Sequence, residues 1–238
     1  MGSVCDMIGI EVNTFSVVGR CRRTGRLGVA ITTSDVAVGS RCPYVRPGVG
    51  AVSTQASTDP RMGPAALRLL EAGKSPQMSL RELAVKDGHI ERRQIGLVDA
   101  HGRAAARTGA ANAGWAGHVV DDNFVAMGNG LAGEGVVQAM ADTFRSSEPQ
   151  DLEERLLRAI EAGQEAGGEA RDSTPYHSAS LLVYGAESCP RVDLRVDEHP
   201  KPIQELRRVF GIYRPKIDFY MLRATDPGAA LATQAEDT

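Results

Sequence analysis

Two β-branched runs, TFSVVGR and GRLGVAITT, flank the basic stretch CRRTG, and Gly25 can supply the positive φ of a short turn. Residues from Thr14 to Thr33 are therefore predicted to form a β-hairpin that brings Thr14 close to Thr32, Thr33 and Ser34. PGVGAVSTQAS predicts a third strand opening after Pro47, since proline is tolerated at the start of a strand but not in its ladder. The period then changes. In STDPRMGPAALRLLEAGKSP, Met62, Leu67 and Leu70 can share one helical face, with Gly73 placed as a C-cap. QIGLVDAHGRAAARTGA predicts a second hairpin around the turn residues DAHG. NFVAMGNGLAG reads as a short strand entering a glycine-rich turn. Helices follow over EGVVQAMADTF and DLEERLLRAIEAGQEAGG, the latter with Leu152, Leu156, Leu157 and Ile160 on one stripe. HSASLLVYG and RVDLRVD return to strand. HPKPIQELRRVFGIYR puts Ile203, Leu206, Phe210 and Tyr213 at helical spacing, and ATDPGAALATQAEDT reads as a frayed tail.

Helices do not alternate with every strand in this order, which argues against a doubly wound parallel sheet and for an α+β fold of mostly antiparallel sheets covered by helices. Composition fits that picture: 238 residues, 42% hydrophobic and 24% charged, bound a single domain with one sizeable core. The net charge of -3 arises from 27 basic and 30 acidic residues without a block of either sign, so neither nucleic acid nor a membrane surface is an expected partner. The start, MGSVCDMIGIEV, is acidic where a signal peptide would be basic, and no stretch is long and apolar enough to cross a bilayer; the expectation is a cytoplasmic chain. Four cysteines and five histidines lack the spacing of disulfide frameworks or metal sites, so no metal and no cofactor are expected.

Polar groups concentrate where periodicity alone would put core or plain turns. Thr14 is one such place, with TTSD (Thr32, Thr33, Ser34, Asp35) beside it; on its own it is an ordinary strand residue, because an unactivated hydroxyl is a poor nucleophile. Gly128, Asn129 and Gly130 lead toward a helix, where backbone N–H groups and the Asn129 amide can hold a developing oxyanion or simply cap the helix. RDSTPYHSAS supplies Asp172, Ser173, His177 and Ser178, either orienting an amine or base or bonding their own loop. His118, Asp121 and Asp122 are near in sequence and offer a weaker, metal-assisted alternative.

Taken in order, TFSVVGR, TGRLGVAITTSDVAVGSRCPYVRPGVGAVSTQASTDPRMGP, RQIGLVDAHGRAAARTGA, WAGH, GNGLAG and VDLRVDEHPKPIQELRR resemble the bacterial domain of unknown function 1028 (DUF1028) family, within the N-terminal-nucleophile (Ntn) hydrolase superfamily. The resemblance implies a four-layer αββα sandwich over 14–215, with an extension at 1–13 and a tail at 216–238. It also implies an amide-bond hydrolase acting on a small amide or short peptide through Thr14, whose own α-amine, with a pKa near 8, would serve as base once residues 1–13 are gone. Gly128 and Asn129 would stabilise the oxyanion, Asp172 and Ser178 would orient Thr14, and Thr33 and Asp35 occupy the place of an acidic residue near the nucleophile. The superfamily's lysine has no clear counterpart, Arg46 being the nearest cation; Asn112 and Met127 stand where many members carry Cys and Gln. The opposing expectation is an Ntn fold without catalysis, used for binding or assembly, and a homodimer is the default assembly.

Overall fold

The computed structural model describes residues 13–168 and 177–236. The first hairpin forms as its sequence demands: β1 (Thr14–Arg20) pairs antiparallel with β2 (Leu27–Thr33), with Thr14 opposite Thr33. The short strand β3 (Pro43–Arg46) precedes β4 (Gly50–Ala56), and two helices follow, α1 (Met62–Glu71) and α2 (Pro76–Lys86). Helix α1 ends in a Schellman turn: Gly73, at φ 83°, donates to Leu70 O and Lys74 to Leu69 O. Helix α2, which hydrophobic periodicity does not announce, starts on a Ser75 hydroxyl that accepts from Met78 N, with Pro76 in the first turn.

The second hairpin is β5 (Arg93–Asp99) and β6 (Ala104–Thr108), its turn held by Asp99 Oδ1 accepting from the His101 and Arg103 amides. Next come β7 (Trp115–Asp121) and β8 (Phe124–Leu131), and here the structure corrects the sequence reading. Gly128, Asn129 and Gly130 lie inside β8, not in a turn at a helix start, and α3 (Glu134–Ser146) begins after Gly133. The chain closes with α4 (Leu152–Glu165), β9 (Ser178–Tyr184), β10 (Pro190–Val196), α5 (Pro202–Tyr213), α6 (Ile217–Thr225) and α7 (Pro227–Glu236), so the segment expected to fray continues as helix.

The strands form two antiparallel sheets, one in the order β10-β9-β2-β1-β8-β7 and one in the order β3-β4-β5-β6. Strand alternation divides the core into layers. Phe15, Val17 and Ala30 point from the larger sheet toward Met140, Leu156 and Phe210 of α3, α4 and α5. Val18, Val29 and Val125 point the other way, against Ala51 and Val98 of the smaller sheet. On the smaller sheet's remaining face, Val52, Ile95 and Leu97 bury the apolar stripes of α1 and α2. Among the described residues, no helix is long and apolar enough to cross a membrane.

Candidate active site

Register places Thr14 at the first position of β1, between Thr33 of β2 and Asn129 of β8. It faces the layer between the sheets, as Ser16 and Val18 do, and only 3% of it is exposed. Its hydroxyl lies 2.8 Å from Thr33 Oγ1. Thr33 Oγ1 in turn donates to the Asn13 carbonyl at 3.0 Å, which spends its single proton and leaves Thr14 as the donor of the pair. The same Asn13 carbonyl accepts from Ser34 N at 3.0 Å, and Asn13 N donates to Ser34 Oγ at 2.9 Å. The peptide carbonyl preceding Thr14 therefore sits between two donors, with a threonine hydroxyl beside it.

Behind Thr14 runs a buried polar seam contributed by both sheets. Gln94 Oε1 accepts from Gln55 Nε2 at 2.7 Å and from Asn129 Nδ2 at 3.0 Å. Gln94 Nε2 is shared among Gly128 O, Thr108 Oγ1 and Gly117 O. Gln55 accepts from Ser16 Oγ at 2.7 Å and reaches Thr14 O at 3.4 Å. Thr108 passes the seam on to His118 Nδ1 at 2.8 Å, where partial burial lowers the imidazole pKa from its ordinary value. Gly130, at φ 64°, kinks β8 just after Asn129, and a side chain there would collide with the Asn13 amide.

The expected site residues are thus brought together unevenly. Thr14, Thr33 and Asn129 meet at one end of the larger sheet. Gly128 lies in the ladder between β1 and β7, and its carbonyl accepts from Gln94 Nε2 at 2.9 Å. Ser178 is opposite Thr33 in register, yet its hydroxyl donates to Asp35 O at 2.6 Å and accepts from Val38 N, fixing the turn after β2. Asp35 is on the surface in a 2.7 Å ion pair with Arg41, and Arg46 pairs with Glu71 at 2.5 Å. Asp172 lies outside the described residues. Cys42 is no rival nucleophile, since burial pushes its thiol up to about 12. His118, Asp121 and Asp122 have separate partners in Thr108, Arg145 and Arg22, and among the described residues no three His, Cys, Asp or Glu side chains are grouped to hold a metal ion. Gln55 and Gln94 are the residues the sequence reading missed; glutamines inside apolar strands, in VSTQAS and RQIGLV, were the available signal.

The model of the family of unknown function DUF1028 matches residues 14–206. Among solved structures, the crystal structure of protein SPO2555 from Silicibacter pomeroyi, from the same family, is similar at a TM-score of 0.78 and 30% identity, covering 84% of this chain and 89% of its own. Anbu (ancestral beta-subunit) from Yersinia bercovieri aligns at a TM-score of 0.41 and 13% identity, over 85% of this chain and 96% of its own. No curated protein matches the chain.

Proposed function

The chain belongs to the DUF1028 family, and from that premise we propose that it is an amide-bond hydrolase of the N-terminal-nucleophile type, a four-layer αββα sandwich whose nucleophile is Thr14. The observation that carries this reading is the Asn13–Thr14 junction: a carbonyl held by Ser34 N and Thr33 Oγ1, with the Thr14 hydroxyl next to it. Two donors on a carbonyl oxygen stabilise the negative charge that develops when its carbon is attacked.

Attack by Thr14 Oγ1 forms a C–O bond to the Asn13 carbonyl carbon. The hydroxyl proton leaves by way of Thr33 Oγ1, the amide nitrogen is protonated, and the C–N bond breaks to leave an ester and a free α-amine. Water then hydrolyses the ester, releasing residues 1–13 as a carboxylic acid. The exposed α-amine is basic enough to take the Thr14 proton in later turnovers. Those turnovers acylate Thr14 with a small amide or peptide-like substrate and release the acyl group to water. In this scheme the Asn129 amide supports the oxyanion, Asp172 and Ser178 orient Thr14 and its amine, and Thr33 hands on the nucleophile's proton.

A specific observation favours the second reading, a non-catalytic protein for binding or assembly: in the continuous chain Asn13 is stitched to Ser34 and Thr14 is buried. Intact mass and N-terminal sequencing of the chain expressed from Met1 separate the two. A mature chain starting at Thr14, absent in Thr14→Ala, is the expected result. A chain that keeps its residues before Thr14 and is not labelled at Thr14 by a β-lactone would put binding first.

A further inference from the structure

The opposite end of β1 carries a concentration of charge. From Thr14 to Arg20 the strand spans about 20 Å, so what gathers around Arg20 is a separate place, and its reading does not rest on hydrolysis. A cavity of about 150 Å³ there is lined by Arg20, Arg22, Arg145 and Arg155 together with the rings of Phe124 and Phe144.

Two of these arginines are neutralised. Arg145 pairs with Asp121 at 2.8 Å and with Asp142 at 2.9 Å, and Arg22 approaches Asp122 at 3.7 Å. Arg20 and Arg155 form no ion pair with any described residue. Arg20 donates from one Nη to Asn123 Oδ1 at 3.0 Å, and Arg155 donates from one Nη to Phe144 O at 2.9 Å. The Nε–H of each is buried without an acceptor. Arg155 is 6% exposed, with its guanidinium 4.0 Å from the centroid of the Phe144 ring. Burial holds its pKa below the ordinary arginine value, while the neighbouring Cys21 and Glu148 act in the opposite direction. Glu148, the remaining carboxylate of the cavity, is exposed. The carbonyls at the end of α3, which would repel an anion, are already engaged: Thr143 O by Ser147 and Phe144 O by Arg155.

Unpaired, desolvated guanidinium donors are costly, and their planar forks match the oxygens of a phosphate or carboxylate. A phosphate carries more charge and more acceptor oxygens than a carboxylate, and its tetrahedral oxygens can accept from two guanidinium groups at once. We propose that this cavity binds a phosphate-sized oxyanion between Arg20 and Arg155, either free phosphate or the phosphoryl group of a small phosphomonoester.

Inorganic phosphate titrated into the full chain, followed by calorimetry and by the arginine Nε–H resonances, tests the site. One saturable site is expected, with the Arg20 and Arg155 resonances moving together. Arg20→Gln and Arg155→Gln should each weaken binding by about tenfold or more. Should Arg155→Gln fail to fold, the wild-type resonances and Arg20→Gln carry the result. Tighter binding of glycerol 3-phosphate identifies a phosphomonoester site, and binding of inorganic phosphate that is equal or tighter identifies the free ion. Saturation by neither below about 10 mM, or an affinity unchanged in Arg20→Gln, overturns the proposal.

Discussion

Between the sheets, Val18, Val29, Val98 and Val125 fill one half of the layer, while Thr14, Ser16, Gln55, Gln94 and Asn129 fill the other, although both halves are fully buried and come largely from the same strands. In the valine half stability comes from removing apolar surface, roughly 1.5–3 kcal/mol per large side chain, and depends little on orientation. In the glutamine half each hydrogen bond contributes only about 0.5–1.5 kcal/mol net, and each group left without its partner costs about 1–3 kcal/mol. Valine would fill that space at less risk. What the polar half provides instead is direction: Gln55 and Gln94 fix where the Thr14 carbonyl and the Asn129 amide point, which a hydrophobic contact does not do.

The comparison is broken most forcefully at Gln94. Gln94→Leu leaves Gln55 Nε2, Asn129 Nδ2 and Gly128 O without their shared partner, and we expect a loss of roughly 3–5 kcal/mol in urea unfolding. A neutral or stabilising outcome would mean that the seam is exchangeable filler. Val125→Ala in the apolar half should cost roughly 2–3 kcal/mol by lost burial and residual cavity. It should leave the N-terminus of the mature chain unchanged, which mass spectrometry reads directly.

This contrast also explains what was legible in the sequence. The stripes that pack helices on the sheets, such as Leu152, Leu156, Leu157 and Ile160, repeat at 3.6 residues and are all buried. The hairpins carry their own turn signals. Strand β7, an edge of the larger sheet, has no buried residue and lacks the alternation that marks a half-buried strand. Gly128 and Gly130 resemble a turn, yet Gly128 is glycine because Phe15 and Leu131 leave no room for a side chain. Thr14, Thr33 and Asn129 were visible as candidates. That Gln55 and Gln94 stand behind them depends on the register of β4 and β5 and on which faces of the two sheets meet, long-range facts that no local pattern encodes.

Thr33→Val separates orientation from stability. It removes the hydroxyl between Thr14 Oγ1 and the Asn13 carbonyl, so the stability change should stay within about 1–2 kcal/mol while release of residues 1–13 slows by about tenfold or more. Unchanged processing in this variant would remove Thr33 from the scheme.

The smallest effect is expected at the outer end of the seam. His118 bonds Thr108, which also takes Gln94, and partial burial lowers its pKa. Above the ordinary histidine value the ring is neutral in both folded and unfolded chains and adds no pH dependence. As pH falls through that value toward the lowered folded one, the unfolded chain binds the proton first, and stability declines. Between about pH 7 and about pH 5, the urea midpoint of the wild-type chain should therefore fall slightly more than that of His118→Gln, which lacks this imidazole. The difference is modest because much of the ring faces solvent, where water supports its charged form. Equal slopes would place the boundary of the coupled seam at Thr108, with His118 a surface residue that merely touches it.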